Sequence, residues 1–181
     1  MVHRPIIFGE HLKLFFTEIR CIDNMTLLVL RSHLALEYML NEIIRHYFKN
    51  SEKIFDIDSV IGFENKLKIV EATEILDDFK EKKRSFSGSE DLLYNLRKIN
   101  EIRNRYAHTF YTEDMKREIG LKISQLKNEG NKASADDLSI LKGAVLITHR
   151  DLIYILDKVS EKSKWRKATY LTGDNKKEKS H

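Results

Sequence analysis

From Asn24 to Phe48 the chain reads as a rod that is apolar on nearly every side, MTLLVLRSHLALEYMLNEIIRHYF after the asparagine. A helix of that kind is unstable alone in water, so neighbouring helices or a second subunit must cover it. Asp23 or Asn24 is the candidate N-cap, because a short side-chain oxygen can accept one of the N–H groups left open by the first turn. Three polar residues interrupt the rod: His33, Glu37 and Asn41. Spaced four apart, they fall in one stripe that needs polar partners once buried.

The segments available to cover the rod are also helical. An amphipathic stretch over about residues 9 to 22 precedes it. From about Val60 to Phe79, with Asp58 or Ser59 as cap, Phe63, Leu67, Val70 and Ile75 recur at near-helical spacing. Ser87-Gly88-Ser89-Glu90 fits a capping box that opens a helix from about Ser89 to His108. Residues 114 to 129 and 135 to 160 carry two more helical patterns, parted by NEGNKASADD, whose Gly130 and Ser134 suit a stop and a restart. One proline and seven glycines in 181 residues leave few obligatory breaks, and 41% apolar residues supply a core. The predicted fold is all-α, a bundle of about five helices forming a single domain over residues 1–160. A basic, flexible tail over 161–181 follows.

The lone cysteine, Cys21, can form neither an intrachain disulfide nor a spaced set of thiolate ligands, which points to a reducing cytoplasm. No basic-then-apolar leader is present, and charges interrupt every apolar run before the ~18 residues of a membrane span. A soluble, cytoplasmic protein without a membrane partner is expected. The net charge is +4 and the pI about 9.0. From Glu161 to His181 there are seven Lys or Arg against three acids, so the rest of the chain is nearer neutrality. Such a surplus helps hold a polyanion but does not by itself indicate one.

The chemistry concentrates at the end of the helix from Ser89 to His108. At about 100° per residue, Leu92, Leu96, Ile99, Ile102, Tyr106 and Phe110 fall on one arc. Arg103 projects near its middle, where patterning would put leucine. A buried, unpaired guanidinium is costly, roughly 3–5 kcal/mol when a partner is removed, so Arg103 needs a partner or a cleft. Glu37, equally out of place in its own helix, is one solution. An open cleft at a subunit interface, holding an anion, is the other. Asn104 and His108 are four apart and share the adjacent face. The helix C-terminus favours imidazolium, raising the pKa of His108 toward neutrality and suiting it to proton transfer. One arginine to bind a phosphate, one amide to orient it and one histidine to move a proton make a sufficient phosphodiester kit. The plainer reading of His108 is a cap on the last helical turn.

Arg105 and Tyr106, in the same run, and Lys82, Lys83 and Arg84, upstream, are candidate substrate contacts. The KSKWRKATY run could hold phosphates while Trp165 or Tyr170 stacks on bases, against the plainer readings of a solvated loop and a frayed terminus. His33 and Glu37 could ligate a metal, but no second pair lies nearby, and a satisfied core histidine is the better account. Neither a metal nor a cofactor is expected.

The stretch IRNRYAH, with LLYNLRKINE before it, resembles the signature of the HEPN superfamily: an arginine, a polar residue, then a histidine a few positions on. Asn104 fills the polar place. HLALEYMLNEIIRHYF, IGFENKLKIVEA and the motif helix resemble, in that order, the mannitol-operon-repressor-like branch, over roughly residues 24 to 112. The resemblance implies a helical homodimer with two copies of the motif in one cleft, which in catalytic relatives cuts RNA without metal. Arg103 would then polarise the scissile phosphate, Asn104 would orient it and His108 would serve as general base or acid. Glu37, His33 and Asn41 would support them. The expected function is a metal-independent endoribonuclease, a toxin or defence effector with an antitoxin or other protein partner. The alternative is a non-catalytic regulator or interaction module in which Arg103 and Glu37 lock the dimer. Two helical segments after the motif and the basic tail depart from the simplest toxin pattern. No recognition helix stands out, so direct DNA reading has little support.

Overall fold

The computed structural model describes residues 8–48, 51, 61–73, 76, 89–108, 112–126 and 136–173, the side chains of 8–12, 89–90, 108 and 162–173 excepted. Every regular element among them is an α-helix: α1 (Phe8–Cys21), α2 (Met25–Tyr47), α3 (Phe63–Glu71), α4 (Ser89–His108), α5 (Glu113–Ser124) and α6 (Asp137–Gly173). The predicted all-α bundle is therefore present, with six described helices rather than about five.

The apolar rod is α2. Its N-cap is Asn24, whose side-chain oxygen accepts from the Leu27 amide at 2.9 Å. At the other end the Phe48 amide donates to the Ile44 carbonyl at 3.1 Å. Leu28, Leu36, Leu40 and Ile43 are wholly buried. The most extensive partner of α2 is α6, whose Leu141, Ala144, Val145 and Leu152 are equally inaccessible, and this pair is the spine of the fold. α1 packs on α6, while α3 and α4 pack on α2 and α5 bridges α4 and α6. Phe15 of α1 stacks on His149 of α6 with ring centroids 3.7 Å apart, and Lys142 donates to the Arg20 carbonyl at 3.0 Å.

The bounds of three elements differ from the sequence-based expectation. α3 begins at Phe63 with Gly62 as its N-cap, and it stops at Glu71 instead of running from Val60 to Phe79. The Thr73 hydroxyl and backbone N–H both donate to the Val70 carbonyl, at 2.6 and 3.2 Å, a tight three-residue turn that closes the helix. α5 starts at Glu113, with Thr112 accepting from the Met115 amide at 3.2 Å, and ends at Ser124 rather than near 129. α6 starts at Asp137, capped by Asp136, which takes both the amide and the hydroxyl of Ser139. It continues beyond residue 160 to Gly173. The predicted capping box at Ser87–Glu90, the Gly130–Ser134 restart and residues 174–181 of the tail lie wholly or partly outside the described residues.

α2 is not covered all round. Leu27, Leu30, Leu34 and Tyr38 are exposed, four of the six large apolar side chains left on the surface among the described residues. They lie at intervals of three and four and so form one stripe along the helix. No described helix is long and apolar enough to cross a membrane.

Candidate functional site

α4 owes its place to Leu92, Leu96, Ile99 and Ile102, all 1% exposed or less and directed into the core. Tyr106 continues that face, half-buried against the same cluster. Arg103 does not point into the middle of the core, as its projection suggests. It is half-buried at the edge, and its guanidinium donates to the Asn104 side-chain oxygen at 3.0 Å in an exposed position.

Within the chain, the pairing of Arg103 with Glu37, one of the two solutions open to that arginine, is not formed. Glu37 instead accepts from Lys66 of α3 at 2.6 Å, and its other carboxylate oxygen lies 3.9 Å from Nδ1 of His33. The physical reason is competition between two cations. The Lys66 side chain is only 7% exposed and would be stranded without an anion, whereas Arg103, at the rim, keeps contact with water. The other ring nitrogen of His33, Nε2, lies 3.1 Å from the Asn100 side-chain oxygen, and the Phe63 ring is tilted against the imidazole at 4.6 Å. Two members of the α2 polar stripe are thus satisfied by α3 and α4. The third is not: the buried Asn41 side-chain oxygen has no hydrogen-bond partner among the described residues.

Burial lowers the His33 pKa below its usual value. The Asn100 hydrogen bond and the Glu37 charge oppose that shift, and the Arg103 and Lys66 charges reinforce it. A neutral ring at pH 7 follows, so the junction holds two cations, Lys66 and Arg103, against the single carboxylate of Glu37. Because Lys66 occupies that carboxylate, Arg103 has no acidic partner among the described residues. An unneutralised guanidinium at a protein rim, oriented by an amide, can take an oxyanion in a two-pronged hydrogen bond.

The remaining candidates are distributed unevenly. Asn104 is exposed beside Arg103, with its oxygen turned to the guanidinium. Arg105 is held by Glu118 of α5 through two contacts, 2.9 and 2.8 Å, and so ties the motif helix to its successor. α4 extends through His108, whose side-chain placement lies outside what is described. Lys82, Lys83 and Arg84 are outside the described residues, as are the side chains of Trp165 and Tyr170. No three His, Cys, Asp or Glu side chains among the described residues are grouped so as to hold a metal.

Two residues of the junction escaped the sequence reading, Lys66 and Asn100. Lys66 had a signal. With Phe63, Leu67 and Val70 it completes the buried i, i+3, i+4, i+7 face of α3, where a lysine is as anomalous as an arginine in α4. Asn100, one turn before the motif, had none beyond its helical spacing. Set against known proteins, the chain matches no family model, no curated protein and no solved structure, so the resemblance of its Arg103 run rests on those residues alone.

Proposed function

We propose that this chain is a HEPN-type endoribonuclease that acts as a homodimer in a reducing cytoplasm, as a toxin or defence effector. The observation that supports this most is the state of Arg103: half-buried, oriented by Asn104 and without a carboxylate partner among the described residues. A structural arginine of a bundle is normally neutralised. This one is left to meet an anion from outside.

The chemistry follows from what the motif contains. The 2′-hydroxyl of RNA attacks the adjacent phosphorus, forming the P–O2′ bond as the P–O5′ bond breaks. Arg103 stabilises the charge that gathers on the non-bridging oxygens. Asn104, whose oxygen faces the guanidinium, has its amide nitrogen available to orient the phosphate. His108, one turn further on, takes the proton from the 2′-hydroxyl as general base or delivers one to the departing 5′-oxygen as general acid, with water exchanging the other proton. The substrate brings its own nucleophile, so one cation, one amide and one proton carrier suffice. The products are a 2′,3′-cyclic phosphate and a 5′-hydroxyl end, formed equally well in EDTA. Their detection by end analysis tests the proposal. Products bearing a 3′-hydroxyl, or a requirement for a divalent ion, contradict it.

The Arg105–Glu118 strap favours a second reading. It commits one basic residue of the run to holding α4 against α5, as in a regulator or protein-interaction module that keeps the fold without cleaving RNA. Under that reading the pure protein cuts no RNA and Arg103 engages an acidic group of another protein.

A further inference from the structure

Asn100 stands between the buried junction and the motif. Its side-chain oxygen lies 3.1 Å from Nε2 of the buried His33, while the residue itself is half-buried. The other ring nitrogen, Nδ1, is 3.9 Å from the Glu37 carboxylate, too far for a hydrogen bond, so the proton of the neutral ring belongs on Nε2. An Nε2–H that donates to the Asn100 oxygen fixes the plane of the amide and turns its nitrogen the other way. That nitrogen has no hydrogen-bond partner among the described residues and is not sealed from solvent.

Asn104 is held in the same manner. Its oxygen accepts from the Arg103 guanidinium at 3.0 Å, which leaves its nitrogen as the outward group. Arg103 and Asn104 follow Asn100 by three and four positions along α4, so the three side chains are neighbours on its surface. The Arg103 charge also acts on the His33 ring to which Asn100 is bound, which places the guanidinium close to the same spot. One cation and two amide nitrogens therefore face outward, with both amide oxygens occupied within the protein. A surface of donors without a free acceptor suits a tetrahedral oxyanion and disfavours a cation. Lys66, behind the junction, shares the single carboxylate of Glu37 with no other side chain at hydrogen-bond distance among the described residues, so the charge of Arg103 stays uncancelled.

We infer that Asn100 is a third phosphate-binding residue beside Arg103 and Asn104, and that His33 positions it by holding its oxygen. This role deepens the proposed function and rests on it for the identity of the phosphate as one of an RNA chain. Three neighbouring donors hold a phosphate by its non-bridging oxygens, where charge gathers as the 2′-hydroxyl attacks. His33 touches no substrate and acts through the amide alone. A bond that served only to join α2 to α4 would need no amide nitrogen left open at the rim.

The probes are inorganic phosphate and a 2′-O-methyl oligoribonucleotide, which carries phosphodiesters but no nucleophile. On titration of the wild-type protein with either, the side-chain amide signals of Asn100 and Asn104 are expected to shift in nitrogen–proton correlation spectra. That reading needs no variant to fold. Asn100→Ala is expected to bind both probes about tenfold more weakly, the loss of one hydrogen bond to a charged group. His33→Leu fills the space but cannot donate, and is expected to weaken binding to the same degree. His33→Gln, whose amide can donate from the same place, is expected to restore it, whereas a merely structural histidine would change stability and leave affinity alone. A wild type that binds neither probe overturns the inference, and so does an Asn100 signal that stays in place while that of Asn104 moves. Unchanged affinity in Asn100→Ala or His33→Leu overturns it as well. Probe binding that depends on Asn100 in a protein that cuts no RNA upholds the site and removes the cleavage proposal. RNA cleavage that Asn100→Ala leaves at the wild-type rate does the reverse.

Discussion

The two halves of α4 use polar residues in opposite ways. Around Asn100 the helix contributes to a junction in which His33, Glu37 and Lys66 are each satisfied by a named neighbour, and little of that junction reaches water. One turn later, the only partner of Arg103 among the described residues is the neutral amide next to it, at the surface. The junction spends its charges on joining α2, α3 and α4. The motif end leaves a charge uncompensated. Groups that hold the fold should therefore lose stability when removed, and groups that act on a ligand should lose activity alone.

The largest effect is expected from Glu37→Ala, which strands the Lys66 ammonium in a site where its side chain is 7% exposed. Breaking a buried pair from one side costs about 3–5 kcal/mol, and the partial exposure of Glu37 places the expected loss toward the lower end of that range. Urea denaturation measures it. A loss below about 1 kcal/mol would mean that Lys66 reaches water, and the contrast between the two halves would disappear.

Next comes the pH dependence of the junction. The folded pKa of His33 is depressed, so below its ordinary value of 6.5 the unfolded chain binds more protons than the folded one. Its contribution is intact above pH 6.5 and is lost as the pH falls from there through the folded pKa. Denaturation midpoints at about pH 7.5 and about pH 5.5 should differ more in the wild type than in His33→Gln. Equal slopes would place His33 in water, contrary to its burial.

A smaller effect belongs to the motif end. The Arg105–Glu118 pair is exposed by 48% and 40%, and such pairs contribute about 0.2–1 kcal/mol. Arg105→Ala is expected to stay within that range in thermal denaturation. A fall in RNA affinity in the same variant would show that Arg105 leaves Glu118 to reach the substrate.

The helices themselves were legible because their signals are local. An asparagine before an apolar run caps α2, and the spacing of Phe63, Leu67 and Val70 gives α3 its buried face. Pair choice is not local. Glu37 is anomalous in an apolar helix and so is Arg103, which makes them look like partners. The anomaly of Lys66 is of the same kind, and only the packing of α3 on α2 decides which cation reaches the carboxylate. The exposed stripe was hidden for a related reason. Leu30 and Leu36 look alike in sequence, yet α6, α3 and α4 cover only one side of α2. The extension of α6 past residue 160 has a different origin: its apolar periodicity fades there, while the helix-forming Lys, Glu and Ala residues continue the backbone.

The claim that Arg103 is kept free to act is tested most directly by Arg103→Ala, with RNA cleavage and thermal stability measured on one preparation. Cleavage is expected to be abolished while stability changes by less than about 1 kcal/mol, since the guanidinium leaves behind only an exposed amide. Cleavage that persists in the variant, or a stability loss as large as that of Glu37→Ala, would contradict it.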